Sequence, residues 1–307
     1  MTPEPNFLLH GADYNYEQWL KRKDILEEDL LLMKKSHMNV MTLNVFGWSL
    51  LEKEDGVYDF SFLDERIESL HREGIKVILA TPSGARPAWL AEKYPEVLRT
   101  NSRREKELFG IRHNHCPSSP LYRRKVREMD ERLSQRYGSH PAVVMWHISN
   151  ELGGECHCPL CQENFRSWLK DKYGNLDNLN EAWNTAFWSH TYTSWSQIQS
   201  PSPIGEYLVH GQNLDWRRFL SDQYISFMKE EIDAVRKYSP SVPVTANLMY
   251  FFEGIDYVKL SKELDVVSWD NYPRWNAERD SFSVALDTAF FHDRIRSLKG
   301  EPFILME

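Results

Sequence analysis

The sequence predicts an α/β fold, specifically a (β/α)8 TIM barrel that is incomplete and lacks its eighth βα unit. Short apolar, β-branched runs alternate with longer amphipathic segments almost from end to end, the pattern of a parallel sheet with right-handed crossovers. Polar and aromatic residues crowd the carboxyl ends of these runs: Asp13-Tyr-Asn15, Phe46-Gly-Trp48, Thr81-Pro-Ser83, Asn150-Glu151, Asn247, Trp269-Asp-Asn-Tyr272 and Glu307. A doubly wound sheet alternates in the same way, so periodicity alone does not choose. In a barrel, however, those ends converge on one face, where active sites are built. The opening strand also lacks a Gly-x-Gly-x-x-Gly turn, which counts against a dinucleotide fold.

Strand one is expected over 7–13 and helix one over 24–35, where Ile25, Leu26, Leu30 and Met33 recur at helical spacing. Strand two covers 38–45, and its helix, 61–73, stops at Gly74. Strand three is 75–80, followed by a long polar loop, 85–117, and a charged helix, 121–137. Strand four is 142–148. A cysteine-rich loop at 152–161 and a helix at 162–172 come next, then a Trp-, Asn- and Ser-rich insertion around 174–213. The helix 214–238 closes at Ser239-Pro240. Strands five (242–248), six (265–269) and seven (302–307) alternate with helices at 255–262 and 282–298. The whole chain, 1–307, reads as one catalytic barrel domain cut after strand seven.

A net charge of −8 argues against nucleic acid or an anionic membrane as partner. No apolar run approaches the roughly 20 residues of a membrane helix. The first residues lack a basic segment followed by an apolar one, so a cytoplasmic protein is expected.

Glu151 follows strand four and Glu307 ends strand seven. Three steps round a barrel of eight places them on opposing walls of one mouth. Two facing carboxyl groups, one protonated to assist the leaving group and one ionised to attack the anomeric carbon, are what a retaining glycosidase needs. Taken singly, either Glu reads as an ordinary rim residue or helix cap. The pair is more specific, because Asn150 precedes Glu151 and can donate to a sugar hydroxyl, and because Glu307 ends the apolar run Phe303-Ile-Leu-Met. Burial beside a second carboxylate is expected to push the pKa of one of these two glutamates upward, as the acid's role requires.

Cys156-x-Cys158-x-x-Cys161 follows strand four, and Cys116 lies in the loop after strand three. Four thiolates suit a closed, tetrahedral, structural Zn²⁺ site; the plainer alternative is four reduced, partly buried thiols. His115 and His157 neighbour the cysteines and are expected to face solvent or the cleft, while the basic run from Arg123 to Arg127 is expected to form a solvated helix face.

Several motifs together resemble the catalytic domain of glycoside hydrolase family 42 β-galactosidases. They are Gly11-Ala-Asp-Tyr-Asn-Tyr-Glu-Gln-Trp19, Gly56-Val-Tyr-Asp-Phe-Ser-Phe-Leu-Asp64, Thr81-Pro-Ser-Gly-Ala-Arg-Pro-Ala-Trp-Leu90, Arg112-His-Asn-His-Cys-Pro-Ser-Ser-Pro120, Trp146-His-Ile-Ser-Asn-Glu151, Leu214-Asp-Trp-Arg-Arg-Phe219, Ser268-Trp-Asp-Asn-Tyr-Pro273 and Phe303-Ile-Leu-Met-Glu307. The resemblance implies release of terminal β-D-galactose from β-galactosides, with Glu151 as acid/base and Glu307 as nucleophile. It further implies Arg112, Asn150 and Tyr272 around the galactose, zinc on Cys116, Cys156, Cys158 and Cys161, no organic cofactor, and a homotrimer for the full-length protein. Tyr16 stands where the family commonly has Pro, and the end of strand two lacks the Arg of many members. The alternatives are another retaining glycosidase of the same barrel clan, acting on arabinosides, fucosides or glucosides, and a zinc-stabilised sugar-binding remnant without activity.

Overall fold

The computed structural model describes residues 8–250, 252–274 and 280–307. Phe7, where the first strand was expected to begin, and the amino-terminal residues read for a signal lie outside them.

All seven expected strands form, most of them shorter than expected: β1 Gly11–Asp13, β2 Val40–Leu43, β3 Lys76–Ala80, β4 Val143–His147, β5 Val244–Thr245 with Asn247–Leu248, β6 Ser268–Trp269 and β7 Ile304–Leu305. β2 stops at Leu43 because Asn44 turns to φ +70°. Every barrel pairing is parallel, and the strands lie side by side in chain order. β5 joins the two halves: Val244–Thr245 bonds to β4 and Asn247–Leu248 to β6.

Side chains decide between an open sheet and a barrel. Val40 of β2, Ile78 of β3, Met145 of β4, Val266 before β6 and Met306 after β7 form one buried cluster. The first and last strands of this arc therefore share an interior, and the Thr42 hydroxyl donates to the Met306 sulfur across it at 3.6 Å. An open sheet would hold these residues far apart. The interior is a filled layer of side chains, as in TIM barrels.

The helices cover the outside: α1 Lys23–Lys35, α2 Ser61–Arg72, α3 Pro120–Tyr137, α4 Pro159–Tyr173, α5 Leu176–Trp183, α6 His210–Arg236, α7 Tyr257–Leu260 and α8 Ser281–Ser297. Pro opens both α3 and α4, where its missing N–H costs nothing, and the Ser119 hydroxyl accepts the Tyr122 N–H to cap α3. α3 and α6 bury Val126, Met129 and Leu133 together with Tyr224, Phe227 and Met228 in the main core. The segment 174–213 contributes α5, short 3-10 turns and the start of α6, and it builds a second apolar cluster around the cysteines with Phe165, Trp183 and Trp216.

Two expectations are corrected. The loop 85–117 is not simply polar and open: it contains a helix, Ala88–Lys93, and it buries Arg86 and Arg99. The basic run on α3 is not a uniformly solvated face either. Lys125 is buried and paired with Asp55, and Arg123 bonds Glu230 at 2.7 Å, because these positions face Asp55 and α6 rather than water. No helix among the described residues is long and apolar enough to cross a membrane.

Removing a side chain from the barrel interior tests whether that layer is packed. Ile78→Ala is expected to lower the unfolding free energy by about 2–5 kcal/mol, read as a shifted urea midpoint with unchanged slope. A loss below about 1 kcal/mol would mean that the interior is not filled as described.

Candidate active site

After β4 the chain makes a strained turn. Ser149 and Glu151 hold φ of +57° and +41°, values that non-glycine residues adopt only when their surroundings enforce them. The restraints are visible. The Ile148 N–H donates to the Thr245 carbonyl at 2.8 Å, the Ser149 N–H to the Thr81 hydroxyl at 2.7 Å, and the Glu151 N–H to Asn247 Oδ1 at 2.7 Å. Asn150 is fully buried between them, and its Nδ2 has no acceptor within the protein. An orphaned buried donor carries a desolvation cost, and a sugar hydroxyl would relieve it.

Glu307 reaches the same place from β7. Its backbone carbonyl accepts the Asn271 N–H at 3.0 Å, which ties it to the residues just after β6. The Tyr272 hydroxyl donates to Glu307 Oε2, and Asn247 Nδ2 lies 3.4 Å from Oε1. Both carboxylate oxygens therefore face donors that hold the group in one orientation. Arg112 arrives from the loop after β3, ion-pairs with Glu151 Oε2 and lies over the Phe46 ring at 5.8 Å. Glu151, Asp270 and Tyr272 line a cleft of about 540 Å³ with Met249 and Tyr250. The five residues singled out from the sequence, Arg112, Asn150, Glu151, Tyr272 and Glu307, all meet here.

Three further groups complete the site, and the sequence reading had placed only Asn247, Asp270 and Asp13 at strand ends without giving them a part. Asn247 Oδ1 accepts the Glu151 N–H and meets His147 Nε2 at 3.1 Å, while Nδ2 donates to Asp270 Oδ2 at 2.7 Å and to Asn150 Oδ1 at 3.1 Å. Burial, followed by the charges of Glu307 and Glu151, raises Asp270 to about 9, so it carries a proton at neutral pH. Burial and then the Glu307 charge raise Asp13 to about 7. The upward push that was expected of one of the two glutamates is seen instead at these two aspartates. His147, fully buried, is pushed down by burial and stays neutral, so its Nε2 is assigned as donor to Asn247.

The four cysteines gather on the other side of Glu151. Their sulfurs lie within 4.8 Å of one another, with Cys116 Sγ 3.4 Å from Cys161 and 3.7 Å from Cys158, and none forms a disulfide. Tetrahedral Zn²⁺ with Zn–S near 2.3 Å sets sulfurs about 3.8 Å apart, so the donor set fits that ion. His115 and His157 do not face solvent or the cleft. His115 is buried and stacks on Tyr122 at 4.2 Å. His157 is buried between Ser200, at 2.7 Å, and Glu155, at 2.9 Å. Part of what covers them lies on distant segments, Phe227 over His115 and Ser200 and Trp216 against His157, so local spacing carried no signal of burial. Arg99 braces this loop: it donates to the Gly153 carbonyl at 2.5 Å and to the His115 carbonyl at 2.8 Å. Gly154, at φ +94°, is required beside it, since a Cβ there would sit 1.8 Å from the guanidinium.

Comparison with known proteins agrees with this geometry. The profile of a β-galactosidase family matches residues 13–307. The β-galactosidase GalA of Bacillus licheniformis is 55% identical over 98% of this chain and 46% of its own. The solved β-galactosidase Gan42B from G. stearothermophilus is 56% identical with a TM-score of 0.97, over 99% of this chain and 46% of that one. The cold-adapted β-galactosidase of Rahnella sp. R3 is 55% identical with a TM-score of 0.96, over 98% and 44%. The chain thus spans a little less than half the length of the relatives it matches. With a family profile covering nearly all of it and a barrel that superimposes on solved members, this chain belongs to the glycoside hydrolase family 42 β-galactosidases.

Proposed function

We propose that this barrel is the catalytic part of a retaining β-galactosidase, with Glu151 as acid/base and Glu307 as nucleophile. The observation that carries the reading is the convergence of the two glutamates, from the ends of β4 and β7, on the Asn247 amide beside one cleft. In the first step a Glu307 carboxylate oxygen attacks the anomeric carbon. The bond to the leaving oxygen breaks, and Glu151 gives that oxygen its proton. The product is a galactosyl ester on Glu307. In the second step Glu151 takes a proton from water, the hydroxide attacks the anomeric carbon as the ester bond to Glu307 breaks and returns its carboxylate, and galactose departs with its β configuration retained. Tyr272 and Asn247 hold the nucleophile, and the free Nδ2 of Asn150 suits a galactose hydroxyl near the reacting carbon. Arg112, at the Glu151 edge of the cleft, suits the remaining hydroxyls.

We further propose that Cys116, Cys156, Cys158 and Cys161 hold one structural Zn²⁺, supported by their spacing and by the absence of a bond between any two. Zinc there cross-links the loops after β3 and β4 and supplies no open coordination position. Unpaired thiols in such proximity also suit a reducing, cytoplasmic location. The homotrimer is carried over from the family resemblance and is tested by sedimentation.

In the complete gene product, Glu307→Gly is expected to lower hydrolysis of a nitrophenyl β-galactoside by at least about 10³-fold. Added azide should then restore turnover as the α-galactosyl azide. Normal turnover without an added nucleophile would refute the assignment.

Metal analysis should find one zinc per chain, with the double substitution Cys156→Ser, Cys158→Ser losing it and melting lower. Unchanged melting and no zinc in the wild type would dispose of the metal site.

Asp270→Asn gives a pH-dependent result. Asp270 binds its proton more tightly folded, at about 9, than at its ordinary 3.8. The stability it contributes is therefore full below 3.8 and declines as pH rises towards 9. The melting temperature of the variant minus that of the wild type should grow between pH 5 and pH 9; a constant difference would show that Asp270 does not hold that proton.

A further inference from the structure

Behind the strained turn, and outside the cleft, two acidic side chains are buried against each other. Asp130 on α3 and Glu231 on α6 are both fully buried. Glu231 is not idle: Oε2 accepts the Thr81 hydroxyl at 2.7 Å and Oε1 accepts the Ser83 hydroxyl at 2.8 Å. Asp130 has no hydrogen-bond donor on either oxygen, and burial together with the Glu231 charge pushes it well above the usual carboxylate range. Asp130 is therefore the member of the pair that holds a proton, while the two hydroxyl donors on Glu231 favour its charge against a burial that raises it to about 7.

A buried carboxyl pair is a costly way to join two helices, since apolar side chains of similar size would serve as well. What the charge adds is direction. A threonine hydroxyl has one proton and two lone pairs. Glu231 takes the proton of Thr81, which leaves the lone pairs of Oγ1 to face the Ser149 N–H at 2.7 Å. Ser149 opens the left-handed turn that ends at Glu151, and its own side-chain oxygen has no partner. The Tyr122 hydroxyl donates to the Ser83 carbonyl, which fixes the segment after β3 from the other side. The relay runs from a helix on the outer wall, through the end of β3, to the backbone of the β4 turn.

We infer that Glu231 is a positioning residue for Glu151, acting through the Thr81 hydroxyl on the Ser149 amide. The inference rests on the reading of Glu151 as acid/base. Neither Glu231 nor Thr81 lines the cleft, so their effect on turnover passes through the turn.

The test uses leaving-group dependence, which a general loss of folding does not produce. A dinitrophenyl β-galactoside needs little protonation to release its aglycone, whereas lactose needs the acid fully, and general acid assistance is commonly worth about 10²–10⁴-fold. In the complete gene product, Thr81→Val keeps the shape and removes both hydrogen bonds. It is expected to lower kcat/KM for lactose by about 10-fold more than for the dinitrophenyl galactoside. Thr81→Ser should restore the wild-type ratio. Glu231→Leu should follow Thr81→Val, and Glu231→Gln, which keeps an acceptor for Thr81, should lie between the wild type and Glu231→Leu. Equal falls on both substrates, or no fall, overturn the inference while leaving the enzyme reading intact. A wild type inactive on both substrates removes the enzyme reading and the inference together.

Discussion

One side-chain amide holds the candidate site together. Asn247 presents an acceptor and two donors from a single rigid plane, which no charged side chain can do. Its oxygen receives the Glu151 backbone and faces His147, and its nitrogen reaches Asp270, Asn150 and Glu307. Four carboxyl groups, Asp13, Glu151, Asp270 and Glu307, crowd round this point, a concentration of negative charge that a half-buried site does not tolerate if all are ionised. The structure relieves it in two ways. Asp270, raised to about 9, retains its proton and Asp13, raised to about 7, is only partly ionised at neutral pH, while Arg112 and Tyr272 supply a cation and a hydroxyl to the glutamates.

The second constraint is the backbone after β4. Positive φ at Ser149 and Glu151 costs roughly 1–3 kcal/mol each, and it persists because the surroundings over-determine it. Hydrogen bonds from Ile148, Ser149 and Glu151 to three different partners, on β5 and at the end of β3, offset that cost. Presentation of Glu151 therefore depends on neighbouring strands being in register, and the register depends on the filled interior of Val40, Ile78, Met145, Val266 and Met306. Packing in the barrel and geometry at its mouth are one problem.

The cysteine cluster stabilises a different part of the same face. It has its own apolar surroundings in Phe165, Trp183 and Trp216, and it touches the site through Arg99, whose guanidinium spans from the His115 carbonyl to Gly153. That route runs to the segment directly after Glu151. The Thr81 route approaches the same turn from its opposite end, at Ser149.

The barrel and its chemistry were largely legible from the chain because both depend on local pattern. Alternating apolar runs marked all seven strands, and the crowding of polar residues at their ends pointed to Glu151 and Glu307, whereas Arg112, in the loop after strand three, was implied only by the family resemblance. Three cysteines within six residues announced their own cluster. Periodicity reports which way a residue faces, but not which distant residue it meets. The sequence could therefore place Asn247, Asp270 and Asp13 at strand ends without showing that the Asn247 amide binds Asp270, and it misread His115 and His157 as facing solvent or the cleft and Lys125 as part of a solvated face. Asp130 and Glu231 sit on helices that are far apart in the chain and touch only in the folded state. Local composition determined which groups were available; only the curling of the sheet brought the ends of strands four and seven, and with them the two glutamates, to a common centre, because hydrogen bonds and charges act over a few ångströms of space whatever their separation along the chain.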